Sequence, residues 1–135
     1  MFSERVMGSR GAYRPYSDYL VFLGNICSVA DAAAICGALP PGGPFDSYGG
    51  ATWLFGGWRQ TWYNHLLPPN SPVPDCNSGP LSSGGGSGAY TARSYHPGGV
   101  NSAMADGSAR FVSQQIDSLV WWAVSTRRGA EARGL

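Results

Sequence analysis

An α+β fold, with an antiparallel β-sheet, a C-terminal helix packed on it and long irregular loops in the middle, is what this sequence predicts. Three observations carry that prediction. Asp106-Gly107 stands between two extended runs, residues 100–105 and 108–113, and such a dipeptide is among the strongest short-range hairpin signals. Behind the second run, Asp117 or Ser118 can cap a helix to about Arg127, where Arg127 and Arg128 suit the helix dipole and Gly129 acts as a stop. The middle of the chain is instead broken by Pro40-Pro41-Gly42-Gly43-Pro44, by four prolines between Pro68 and Pro74, and by Ser82 to Gly88. At 135 residues all of this fits one domain, 1–135.

The elements follow in order. Met1 to Val6 alternates as a half-buried strand, ended by Gly8. That alternation sets Glu4 on the side of Phe2 and Val6, where an inward carboxylate needs a partner such as Arg110; if the strand faces the other way, Glu4 is solvated. Tyr16 to Phe22 has the aromatic and β-branched content of a strand. From Ser28 to Leu39, Ala32-Ala33-Ala34-Ile35 behind Ser28 or Asp31 reads as a short capped helix that holds Cys36 in place.

Tyr48 to Tyr63 is the most aromatic stretch, with Trp53, Trp58, Trp62 and Tyr63 interrupted by paired glycines. Those rings either form a platform that stacks on a glycan or on another exported protein, or they fill the core of a loop-rich domain. Tyr63 to Leu67 reads as a short strand delivering the chain into a proline-rich segment that cannot lie inside a sheet. Asp75 to Gly88 reads as loop, and residues 77–89 hold the flexible Gly/Ser part. Tyr90 to Tyr95 then leads into the hairpin.

For the hairpin, a two-residue type I′ turn at Asp106-Gly107 places Met104 opposite Ala109, Ser102 opposite Phe111 and Val100 opposite Ser113. Val100, Met104, Ala109 and Phe111 then form the expected core face, with Ala103, Ala105, Arg110 and Val112 on the other. In the helix, Leu119, Trp122 and Ala123 share one face, and Val120 and Val124 another.

Composition excludes several functions. Net charge is +1, lysine is absent and no basic run occurs, which argues against nucleic acid. No stretch approaches the roughly 18 apolar residues of a membrane span; Leu20 to Ala38 comes nearest but carries Asn25, Ser28 and Asp31. A hydrolase triad from His96, Asp106 and a serine lacks a nucleophile elbow, since Gly85-Gly86-Ser87-Gly88 lies in a linker-like stretch. No enzymatic activity is expected. Zinc fails on spacing, because Cys27, Cys36 and Cys76 form no Cys-x2-Cys pair. Few charges with abundant Gly, Ser and aromatics are in keeping with an exported protein, where one cysteine pair can be bridged and the third left over; three reduced thiols are the alternative.

His96-Pro97-Gly98-Gly99-Val100-Asn101, then Asp106-Gly107-Ser108 and Arg110-Phe111-Val112, with nine residues between His96 and Asp106, resemble the C-terminal signature of a large family of bacterial prepilin-like proteins. The family's full-length members resemble type II secretion pseudopilins and carry a domain of unknown function. Ser3-Glu4-Arg5-Val6, Trp53, Gly56, Tyr63-Asn64-His65, Pro69-Asn70, Asp75-Cys76 and Trp122-Ala123 through Glu131 also match it in order. The family's basic leader, processing site and long N-terminal helix are not matched here, so the resemblance implies a C-terminal portion: a pilin-like globular head without its helix. It further implies a structural, non-catalytic subunit of the cell envelope or an extracellular fibre, with homo-oligomer or fibre neighbours as partners. Family cysteines fall near Cys36 and Cys76, which favours that pair as the disulfide. No cofactor is expected, the one candidate being calcium, which related pseudopilins use; Asp75, Asp106 and Asp117 are its candidate ligands, without an EF-hand-like ladder. In this setting His96, Gly98, Gly99, Asp106, Gly107, Arg110 and Phe111 are expected to be architectural, with His96 tying its turn to neighbouring backbone.

Overall fold

Residues 1–52, 54–58, 60–78 and 87–126 are described by the structure, a computed structural model. In chain order the elements are β1 (Phe2–Ser3), β2 (Tyr19–Phe22), α1 (Val29–Ala38), β3 (Phe45–Asp46), β4 (Asp75–Ser78), β5 (Gly88–Ala89), β6 (Gly99–Ala103), β7 (Ala109–Ser113) and α2 (Ser118–Ala123). The strands form two sheets: an antiparallel three-stranded sheet ordered β1-β6-β7, and a four-stranded sheet ordered β3-β2-β4-β5. The fold is α+β, with α2 packed on the first sheet through Trp121, Val100 and Val112.

The second sheet is built around a disulfide. Ser28 caps α1 by accepting from the Asp31 N–H, and Ala32 and Cys36, one turn apart, face inward. Cys36 is bonded to Cys76 on β4, 40 residues away, as the family resemblance implied, and Cys27 is an exposed free thiol. Leu20, Leu67 and Ala89 complete this buried cluster. β2 and β4 run parallel, because the connection between them crosses over through α1 and the aromatic loop instead of turning back directly.

Asp75 to Ser78 is therefore a strand inside a sheet and not loop. Its inward residues Asp75, Cys76 and Ser78 are polar or small, which hid it from hydrophobic patterning. Tyr63 to Leu67 is no strand; its neighbour Tyr90 to Ser94 is the continuous buried run, and it bonds Asn64, Asn70 and Glu4 through single backbone hydrogen bonds without forming a ladder. Of the expected Gly/Ser loop, residues 77, 78, 88 and 89 lie in strands and residues 79–86 lie outside the described residues.

The hairpin stands where expected but in a different register. Val100 pairs with Val112 and Ser102 with Arg110, one residue off the expected pairing. The cause is the loop: Met104 N–H donates to the Ser108 carbonyl, and Gly107 N–H to that of Met104, so three residues separate the strands. Among them only Gly107, at φ 86°, is left-handed, as in a type I turn followed by a G1 bulge. A one-residue slip exchanges faces. Val100, Ser102 and Val112 are buried, whereas Phe111, expected in the core, is 54% exposed. In α2 the buried residue is Trp121, which neither of the two expected faces contained, and Leu119 is 52% exposed. The expected helix end at Arg127, Arg128 and Gly129 lies outside the described residues, as does Trp53.

Candidate functional site

Of the signature residues, His96, Gly98 and Gly99 sit at the join between the two sheets, and Asp106 and Gly107 lie at the far end of the hairpin. At one end of β6, Gly98 (φ 82°) turns the chain so that the His96 imidazole Nε2 meets Glu4 Oε1 at 3.0 Å. Glu4 also accepts from the Asn101 backbone N–H (2.8 Å) and side-chain amide (3.2 Å), locking the residue after β1 onto β6. Glu4 thus finds His96 and Asn101, and not Arg110, as its partners. Partial burial pushes its carboxyl up, but the Asn101 donors and His96 outweigh this and hold it below the usual carboxylate range. His96 ties its turn to the carboxylate of the residue that follows β1, where neighbouring backbone was expected.

Gly99 and Phe111 act together. A Cβ at Gly99 would lie 2.1 Å from the Val112 carbonyl oxygen and 2.9 Å from the Phe111 ring, which lies across the glycine from the next strand. At the far end of β6, Asp106 accepts from the Ser108 backbone N–H (2.9 Å) and hydroxyl (2.7 Å), which keep its pKa low and brace the turn. His96 and Asp106 therefore occupy opposite ends of one strand. The Ser94 hydroxyl donates to the Gly99 carbonyl at 2.9 Å, so its proton is directed away from His96. These residues do not assemble as a nucleophile, base and orienting acid.

Behind the hairpin two polar knots bind the sheets to each other. Asn70, left-handed at φ 53°, accepts through Oδ1 from the Tyr16 hydroxyl and the Ser94 N–H (each 2.8 Å) and donates to the Gly99 carbonyl (3.0 Å). Arg93, nearly without exposure, donates to Asp75 Oδ1 from Nη2 (2.9 Å) and Nε (3.2 Å), and to the Ser71 and Val73 carbonyls (2.7 Å each). Asp75 Oδ2 accepts from the Thr91 N–H. Asp75 is thereby held by a cation, Asp106 braces its own turn, and Asp117 caps α2 through the Leu119 and Val120 N–H groups. The three calcium candidates lie in three separate places, and no group of three His, Cys, Asp or Glu suited to a metal occurs among the described residues.

The aromatic residues divide. Trp58, half-buried, stacks on buried Tyr90 with centroids 5.4 Å apart, and Trp62 meets Trp58 edge-on while remaining 53% exposed. Arg5 lies over the Tyr90 and Tyr19 rings and donates to the Trp58 and Trp62 carbonyls, fixing this loop. Tyr63 belongs to the other cluster, stacked on His65, which in turn stacks on the Trp121 indole at 3.9 Å. His65 Nδ1 lies 2.7 Å from the Trp121 carbonyl, an acceptor only, so Nδ1 carries the proton and Nε2 accepts from the Tyr63 hydroxyl at 3.2 Å. Burial pushes the His65 pKa down and that of Tyr63 up to about 12.

Chemically, the arrangement offers a groove of about 690 Å³ between residues 4–7 and 93–96, bordered by the Glu4–His96 pair, and an exposed aromatic edge at Trp62. Sequence reasoning missed Arg5, Arg93 and the hub role of Asn70. The one local signal was Pro69-Asn70, since Asn tolerates the left-handed conformation better than other non-glycine residues.

Compared with known families, residues 45–119, more than half of the chain, match the family described as Protein of unknown function (DUF1559). No curated protein and no solved structure matches the chain. The matched span runs from β3 into the first turn of α2 and contains the hairpin, Asn70, Asp75 and Arg93; Glu4, which His96 and Asn101 hold, lies before it.

Proposed function

This chain belongs to the DUF1559 family, and on that premise we propose that it is the structural, non-catalytic globular head of a prepilin-like subunit of the cell envelope or of an extracellular fibre. One observation carries the reading. The residues through which the chain resembles such heads, from Glu4 and Asn70 to His96, Gly99, Asp106 and Phe111, bond or pack against one another and brace turns and sheet joins. A disulfide between Cys36 and Cys76 suits an oxidising compartment, and no helix among the described residues is long and apolar enough to cross a membrane.

Immunogold microscopy and fractionation of the producing cells, with antibodies against the chain, are expected to find it in the envelope or on extracellular fibres with Cys36 and Cys76 oxidised. A cytoplasmic protein with reduced thiols overturns the proposal. A second reading, a glycan- or protein-binding module, is favoured by the exposure of Trp62, whose indole lies near Gly56, and by that of Leu54 and Phe55. Glycan-array binding that Trp62→Ala removes while the fold persists would select it.

A further inference from the structure

We propose that the loop of residues 48–62 docks on an anionic lipid bilayer surface, its apolar side chains entering the headgroup region while Arg10, at its base, meets the lipid phosphates. The loop is apolar where it meets solvent: Leu54 is 77%, Phe55 65%, Trp62 53% and Tyr48 52% exposed. Three of these are held close together, because Leu54 and Phe55 lead into Gly56 and the Trp62 indole lies against that glycine, 3.4 Å from where a Cβ would stand. Large apolar side chains exposed in one place mark an interaction surface. The loop also satisfies much of its own backbone. The Gly57 carbonyl accepts from the N–H groups of Gln60, Thr61 and Trp62, the Ala51 N–H donates to the Tyr48 carbonyl, and the Gln60 side chain accepts from the Thr52 N–H. Arg5 takes up the Trp58 and Trp62 carbonyls. Main-chain groups bonded within the protein are what partial entry into a medium poor in water requires.

Charge chooses the occupant. Between Asp46 and Asp75 the sequence has no acidic residue and one arginine. The acids bonded to the segments that carry the loop and Arg10 are turned inward: Asp46, 3% exposed, accepts from the Tyr48 N–H, and Asp18, 1% exposed, from the Ser9 and Arg14 N–H groups. Arg10 is exposed and donates from Nη2 to the Ala51 carbonyl at 3.3 Å, which sets a cation beside the apolar tip. An apolar tip with an arginine behind it and no exposed acid follows the layering of an anionic bilayer, where phosphates lie outside the acyl boundary. A glycan would need several directional partners around a stacked ring. The loop's exposed polar side chains are the hydroxyls of Thr52 and Thr61, and the Gln60 amide is taken by the Thr52 N–H. Attachment through a few side chains is weak and reversible, with a partition constant on the order of 10³–10⁴ M⁻¹, about that of one acyl chain. It does not depend on the fibre reading, and it gives the Trp62 loop an occupant other than a glycan or a protein.

The test is co-sedimentation of the full chain with large unilamellar vesicles of phosphatidylcholine containing about 30% phosphatidylglycerol, at about 1 mM lipid. Binding is expected, with a blue shift of tryptophan emission, and vesicles of phosphatidylcholine alone should bind several-fold less. Trp62→Ala and Phe55→Ala should each weaken binding roughly tenfold, and Trp62→Phe, which keeps an apolar ring, less than about threefold. Phe111→Ala removes a ring that is 54% exposed on the other sheet and should change nothing. Arg10→Gln should weaken binding about fivefold on anionic vesicles and leave neutral ones unaffected, as one arginine does at such a surface. Circular dichroism checks that each variant is folded, and Phe55→Ala carries the test if Trp62→Ala disturbs the contact with Trp58. No vesicle binding by the unmodified chain, or a loss for Phe111→Ala equal to that for Trp62→Ala and Phe55→Ala, overturns the proposal. Capture of a glycan or a protein through Trp62 without vesicle binding also overturns it and selects the binding-module reading.

Discussion

Asp75→Ala removes the carboxylate that accepts two bonds from Arg93 and one from the Thr91 N–H, in a place where the two side chains are only 7% and 4% exposed. What remains is a guanidinium held by the Ser71 and Val73 carbonyls and the Tyr16 ring, together with a buried N–H that has lost its acceptor. Breaking a buried pair from one side costs about 3–5 kcal/mol, chiefly the penalty of the charge left behind. Against a total stability of about 5–15 kcal/mol, that is a large fraction. With a urea m-value of about 1.5–2 kcal/mol/M, the midpoint should fall by roughly 2–3 M. The assay is urea unfolding of the oxidised chain, followed by tryptophan fluorescence and far-UV circular dichroism. The companion is the double variant Asp75→Leu with Arg93→Met, which removes both charges and leaves apolar volume; it should cost less than about 2 kcal/mol. A loss below about 1 kcal/mol for Asp75→Ala, or a double variant as damaging as the single, would refute the claim that an uncompensated buried charge sets the cost.

Three further outcomes follow from the same geometry. Because burial lowers the His65 pKa below its ordinary 6.5, the stability gained by keeping it neutral is complete above about pH 6.5. It is lost as pH falls from there toward the lower folded value, a slope that pH-dependent urea titrations should show and His65→Gln should flatten. Gly99→Ala, whose Cβ meets the Val112 carbonyl and the Phe111 ring, should destabilise by about 1–3 kcal/mol or more; Phe111→Ala should not rescue it, since the carbonyl contact persists. Reducing the Cys36–Cys76 bond, which spans 40 residues, should cost about 3–4 kcal/mol by loop entropy, measured as the stability difference between oxidised and reduced chain.

How far such features are legible depends on how local their causes are. The Ser28 cap and α1 were readable because cap and helix formers adjoin one another. Asp106-Gly107 located the hairpin but not its register, because the same dipeptide serves both a two-residue loop and a three-residue loop with glycine at the bulge, and these differ by one residue. That single step moved Phe111 to the surface and Val112 into the core. In α2 the run Val120-Trp121-Trp122-Ala123-Val124 is apolar throughout, so periodicity gave no contrast from which to choose Trp121. Arg93 was not singled out because an arginine in an extended run is ordinarily solvated; its burial depends on Asp75, 18 residues earlier, and on two carbonyls in the proline-rich segment.

A motif made of His, Asp, Asn and Arg looks like chemistry, and the hydrogen bonds explain why it need not be. Two sheets, each with its own small apolar cluster, meet here along segments with little regular pairing, so hydrophobic burial alone specifies their relative position poorly. Directional bonds do so instead: Asn70 joins Tyr16, Ser94 and Gly99, Arg93 N–H bonds the Glu4 carbonyl while its guanidinium holds β4, and Glu4 closes the ring through His96 and Asn101. Every residue in that circuit fixes geometry, and nearly all of its polar atoms point at the protein. The loop that exposes Trp62, on which the binding-module reading rests, lies outside that circuit. Substitutions in the circuit should therefore lower stability, and Trp62→Ala should leave stability nearly unchanged.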